Sequence, residues 1–164
     1  MVFSLSKVSN PLKTGLGFGL ISGTLTTLGV LVGIYFGTKS FLAIIGAIIS
    51  VAIADAFSDS LAIHISEESK NQDKQHVFHS TVSTFFTKFF VGLLYLPAFL
   101  IFNMDIALFL DILLGIGLIS YYSYLIAKQN KTPIAYTILE HLLIAFAVII
   151  ATFLVGDFIN HLPK

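Results

Sequence analysis

Asp55 and Asp59 stand four residues apart inside an otherwise apolar run from Ser40 to Ile63. On a helix that spacing puts both carboxylates on one face, about one turn apart. Two acids so close in a poorly solvated place cannot both ionise cheaply, so one holds a proton or a cation neutralises the pair. That is the chemistry of a proton-coupled cation site. An ionisable group inside a membrane helix costs about 2.5 to 3.5 kcal/mol on insertion scales, so it usually faces a cavity, a partner or a pathway.

With a rise of about 1.5 Å per residue, several polar residues of other apolar runs fall near the depth of the aspartates. They are Ser22 and Thr26 in the first run, Lys88 in the third and Glu140 in the fifth. Polar groups from four helices can then meet at one level. Ser22 and Thr26 would complete a ligand shell around Asp55 and Asp59, and Glu140 would relay protons. Lys88 has a plainer reading as well: it pairs with Asp59 or Glu140 to hold helices together, or snorkels to the interface. Asp111 lies nearer the other side, as an exit-side polar group or a helix-start residue. Beyond the second run, His64, Glu67 and Glu68 recur at spacings of three and four, as an entry site for a divalent ion, with His76 and His79 as a second pair. A solvated helix end is the alternative there.

The elements that must carry these groups follow from composition. Of 164 residues, 56% are apolar and 11% charged, against roughly 25% charged in ordinary soluble domains, so the lipid bilayer is the expected solvent. Five stretches are long enough to span a hydrocarbon core of about 30 Å: 15–36, 40–63, 81–102, 105–127 and 133–159, with a polar segment at 64–80. The fold class is therefore all-α, a polytopic membrane bundle of five transmembrane helices forming one domain over 1–164. Short connections make consecutive helices antiparallel. Lys7, Lys13, Lys70, Lys74, Lys128 and Lys131 fall on one side, and Lys39 and Lys164 on the other. Lysine-rich short loops stay inside, so the N-terminus is expected in the cytoplasm and the C-terminus outside. The first fourteen residues are too polar for the apolar region of a signal peptide.

Net charge is zero, arginine is absent and the lysines are scattered, which argues against nucleic-acid partners. Without cysteine there are no disulfides and no thiolate metal sites. No nucleotide loop, Ser-His arrangement or redox-cofactor motif is present, and acids on adjacent turns of one helix poorly mimic an aspartyl-hydrolase pair. An enzyme is not expected, nor a cofactor beyond a transported metal. In the first span Gly15, Gly19, Ser22, Thr26, Gly29 and Gly33 form a stripe of small residues in steps of three and four. Such a stripe lets helix backbones approach closely, within the chain or across a homodimer.

Two of these segments resemble the vacuolar iron transporter family, which includes nodulin-like members. Ser22-Gly23-Thr24-Leu25-Thr26-Thr27-Leu28-Gly29 is similar to its Asp-Gly-Leu-x-(Ser/Thr)-Thr-Leu-Gly segment. The stretch from Ala56 to Ser66 is similar to its Ala-x-Ser-Met-small-small-Gly-Glu-Tyr-x-Ser segment. The resemblance implies a homodimer, through the first helix, that moves ferrous iron or a related divalent cation out of the cytosol in exchange for protons. The membrane would be the cell membrane in a prokaryote and a vacuole-like membrane in a eukaryote. This chain has Ser22 at the family's first-span aspartate, Asp59 at its methionine and Ile63 at its glutamate, while Asp55 stands at a usually small position. Two acids are lost and two appear within a few turns, so the expectation is a relocated site with harder ligands suited to Mn²⁺, Mg²⁺ or Ca²⁺ as well as Fe²⁺. The alternative is a membrane scaffold or sensor that keeps the fold without transport.

Overall fold

The computed structural model describes residues 10–163. Lys7 and Lys164, both used in the orientation count, lie outside the described residues. Among these residues six helices follow one another: α1 Pro11–Thr38, α2 Phe41–Ser69, α3 Lys74–Leu93, α4 Leu96–Ile101, α5 Met104–Asn130 and α6 Ile134–Asn160. Helices α3 and α4 are two parts of one segment, Lys74–Ile101, and five segments are long and apolar enough to cross a bilayer. The chain is an all-α integral membrane protein, as its hydropathy predicts.

Capping side chains set the helix starts. The Leu12 amide donates to Asn10 Oδ1 at 3.1 Å, with Pro11 at the first helical position, where a missing N–H costs nothing. Asp73 accepts from the His76 amide at 2.8 Å and Asn103 from the Ile106 amide at 3.0 Å. Two helices end on left-handed lysines, Lys39 at φ 49° and Lys131 at φ 57°, whose amides return to the Tyr35 and Ala127 carbonyls.

Two features depart from the expected spans. Helix α2 continues to Ser69, as the helical spacing of His64, Glu67 and Glu68 anticipates, but α3 begins already at Lys74, so the polar segment 64–80 is helical apart from a turn at 70–73. A helix leaving the bilayer needs no apolar residues, because its backbone bonds are made within itself. The third span is also broken, at Leu94–Tyr95. Pro97 has no N–H for the Leu93 carbonyl four residues back, and its ring crowds that carbonyl.

Helix α1 is the central strut, with 50% of its most apolar stretch buried against 11% for α6. It packs against α2, α3, α5 and α6. Its glycines decide how closely. A Cβ on Gly15 would lie 2.6 Å from the Ser80 carbonyl oxygen and 2.7 Å from the Thr84 amide, so α1 and α3 meet backbone to backbone. Farther along, a Cβ on Gly156 of α6 would lie 2.4 Å from the Gly33 carbonyl oxygen. The small-residue stripe of the first span is thus occupied within the chain, by α3 at Gly15, Gly19 and Gly23 and by α6 at Gly29, Gly33 and Gly37. Toward the α1–α2 turn, an apolar core of Leu28, Leu31, Val32, Ile44, Ile48, Tyr95, Phe99 and Leu108 fills the bundle. Toward the α2–α3 turn the interior is polar.

Candidate ion-binding site

That polar interior is built on α3. His76, Ser80, Thr84 and Lys88 recur every fourth residue and all are buried, so one face of the helix presents a polar row to α1 and α2. The Ser80 and Thr84 hydroxyls donate to the carbonyls of His76 and Ser80, 2.9 and 2.8 Å away on their own helix. Lys88 has no such local partner. Its stem runs over Gly23, where a Cβ would stand 3.2 Å from Lys88 Cγ, and its ammonium reaches across to α2.

There the ammonium sits between the two aspartates. Lys88 Nζ is 2.7 Å from Asp55 Oδ2 and directly contacts Asp59 Oδ2. It also donates to Ser22 Oγ at 2.8 Å, and Ser22 donates in turn to Asp59 Oδ2 at 2.7 Å. Asp55 Oδ2 makes only the ion contact, with no hydrogen bond of good geometry. Four side chains from three helices therefore close one network of two acids, one base and one hydroxyl, with a net charge of −1 when all three ionise. Their exposures differ in a telling way: Lys88 is 2% exposed, while the Asp55 and Asp59 side chains are 22% and 20% exposed. The lysine is shut in, and the acids reach the surface of the bundle.

The other expected site residues fall into place unevenly. Thr26 donates to the Ser22 carbonyl at 2.9 Å and so stands behind Ser22 rather than in the network. Glu140 corrects the four-helix picture. It is exposed on α6, without a hydrogen bond or ion pair among the described residues, and α6 packs on α1 and α5. Depth matching fixes a residue's height but not its direction around the bundle. Lys88, on α3, takes the position beside the acids that Glu140 was expected to share.

At the α2–α3 turn Glu67 points inward and is 1% exposed. It accepts from His76 Nε2 at 3.1 Å and from Lys70 Nζ at 2.7 Å. His64 Nδ1 meets Thr81 Oγ1 at 3.1 Å. Glu67 and His76 thus fasten the hairpin of α2 and α3, and the expected pairing of His76 with His79 fails because His79 faces outward. His64 and Glu68 line a cavity of about 540 Å³ together with Asn71, Gln72 and Lys74. Among the described residues no group of three or more His, Cys, Asp or Glu side chains is gathered as a metal cluster. Ion ligation at the aspartates would need the Ser22 hydroxyl and the place that Lys88 occupies.

Sequence reasoning missed the α3 row as a unit. Its signal is the spacing of four from His76 to Lys88, hidden among the phenylalanines at 85, 86, 89 and 90 that face outward or lie half-buried. Compared with known proteins, the chain matches no family profile, no curated protein and no solved structure.

Proposed function

We propose that this protein is a secondary transporter for a divalent cation of the Fe²⁺ or Mn²⁺ class, exchanging it for protons. Asp55 and Asp59 bind the ion, and Lys88 occupies their site when the ion is absent. The observation that carries this reading is the Lys88 ammonium seated between both carboxylates and the Ser22 hydroxyl.

An empty pair of carboxylates in a bundle is costly, and Lys88 offsets that cost by neutralising one charge. A divalent cation that enters between the acids neutralises both and displaces the lysine. An ammonium left in a buried place without a carboxylate is itself costly, so it gives up its proton. Cation entry and proton release are then one event, and affinity rises with pH because protons compete for the same site. The ligands are oxygens, two carboxylates and a hydroxyl, a set that suits Mn²⁺ and accepts Fe²⁺. Glu68 and His64, at the cavity by the α2–α3 turn, serve as the entry. The lysine distribution puts that end in the cytosol, which makes the direction export.

The resemblance in the first two spans supports the same reading. Ser22 stands where that family has an aspartate and Asp59 where it has a methionine, and here these two side chains are hydrogen-bonded. The acid has in effect crossed from α1 to α2 within one contact. The expectation of a homodimer shifts with it. Gly46, Ser50, Ala54, Ser58 and Ala62 are exposed at steps of four along α2, beside Asp55 and Asp59, and a second copy on this face would shield the acids from lipid.

The test is flux into liposomes holding the purified chain, with an imposed pH gradient and Mn²⁺ outside. Wild type carries Mn²⁺ down the gradient's drive, Asp55→Asn/Asp59→Asn abolishes it, and Ser22→Ala lowers it by about tenfold. Equal flux in wild type and the double variant sinks the reading and leaves the network as a scaffold's staple.

A further inference from the structure

Away from the Lys88 network, three polar atoms are buried without a hydrogen-bond partner among the described residues: Thr24 Oγ1, Tyr95 Oη and Asp111 Oδ2. Thr24 and Tyr95 are 0% exposed and Asp111 is 1% exposed. They come from α1, from the break between α3 and α4, and from α5: the Tyr95 hydroxyl is turned toward Thr24 and stands against the face of α5 that carries Asp111 and Gly115. Gly115, one turn beyond Asp111, gives the tyrosine its room, since a Cβ there would stand 3.1 Å from the hydroxyl. Tyr95 belongs to the apolar core together with Leu28, Val91 and Leu108.

Orphaned polar atoms at this depth call for a ligand, because a buried donor or acceptor without a partner is costly. No cation among the described residues supplies it. On α1 the facing group is Thr24, and on the α3–α4 segment it is Tyr95. Lys88, two turns earlier on that segment, is committed to Asp55 and Asp59 on α2. On α5 the same buried face offers Ala107, Leu108 and Gly115. On α6 Glu140 and Asp157 are exposed, and His141 is held by Ser123 at 2.7 Å. One carboxylate and two hydroxyls remain, an all-oxygen set with a single negative charge. The broken span adds to it: Pro97 leaves the Leu93 carbonyl without its helical donor two residues before Tyr95. Unwound backbone inside a membrane is tolerated where it is buried in protein or lines a site, and in transporters it often marks an ion site.

We propose that Asp111, Tyr95 and Thr24 form a second ion site that binds one monovalent positive charge, a proton or a sodium ion. As a proton it resides on Asp111 and is donated to the tyrosine oxygen; as sodium it is ligated by the three oxygens. The site stands on this geometry, and only its role as the coupling-ion station rests on the transporter reading.

Infrared difference spectra of the full chain in lipid vesicles, swept in pH with and without Na⁺, read the site without any transport. In wild type a protonated-carboxyl band belongs to Asp111: it is absent from Asp111→Asn, persists in Asp55→Asn/Asp59→Asn and shifts in Tyr95→Phe. A band that ignores Na⁺ identifies the proton, and a band that grows only when Na⁺ is withdrawn identifies sodium. Spectra of wild type and Asp111→Asn that coincide across both sweeps overturn the proposal and leave water as the occupant. Tyr95→Phe keeps the ring in place, so an unshifted band in that variant overturns it too, even if Asp111→Asn fails to fold. Failure of Mn²⁺ flux leaves these readings untouched.

Discussion

The two halves of the bundle are filled by opposite means. Toward the α1–α2 turn, Leu28, Leu31, Ile44, Ile48, Phe99 and Leu108 pack side chain against side chain. Toward the α2–α3 turn, α1 contributes glycines, and the space goes to Ser80, Thr84, Lys88 and Glu67. In water an apolar core would drive folding, but lipid is as apolar as leucine, so helices associate through close packing and polar contacts. The apolar half is held mainly by fit, with the Tyr35 hydroxyl donating to Asp105 at its rim. The polar half is held by an ion network that well-packed apolar residues would often match or exceed in stability, which argues that the network is kept for what it does.

The largest effect expected from that difference is at Lys88. Lys88→Met leaves Asp55 and Asp59 facing each other and costs about 3–5 kcal/mol, read as a lowered unfolding midpoint in detergent. Adding Asp55→Asn and Asp59→Asn to the same chain recovers most of the loss. If the triple variant is as unstable as Lys88→Met alone, the network is structural and the contrast between the halves collapses. At the small end stands Thr84→Val. The Thr84 hydroxyl bonds only to its own helix, so its removal shifts stability by under about 1 kcal/mol, and a much larger loss would mean that Thr84 belongs to the network.

The sequence made the spans legible because length and hydropathy decide them, and the four-residue spacing of Asp55 and Asp59 was enough to put both on one face. Three things were less accessible. Helices α2 and α3 are fastened at their turn by Glu67, His76 and Lys70, a pairing that forms only once the helices lie side by side. The glycine stripe of α1 serves two neighbours in succession, since α3 covers its first half and α6 its second. Glu140 matched the aspartates in depth, yet α6 packs mainly on α1 and α5, and neighbour order in a bundle has no periodic signature in the chain. The third span was expected to run unbroken over 81–102, and the break at Leu94–Tyr95 corrects that, with Pro97 as the signal that went unread.

In the proposed mechanism a cation and the Lys88 ammonium compete for one pair of acids. This competition is tested most directly by adding Mn²⁺ to the purified protein in weakly buffered detergent and recording bound metal and released protons together. Wild type is expected to release at least one proton per bound ion, and Lys88→Met to bind the ion while releasing fewer. Mn²⁺ binding with equal proton release in both proteins, or no binding in either, would contradict it.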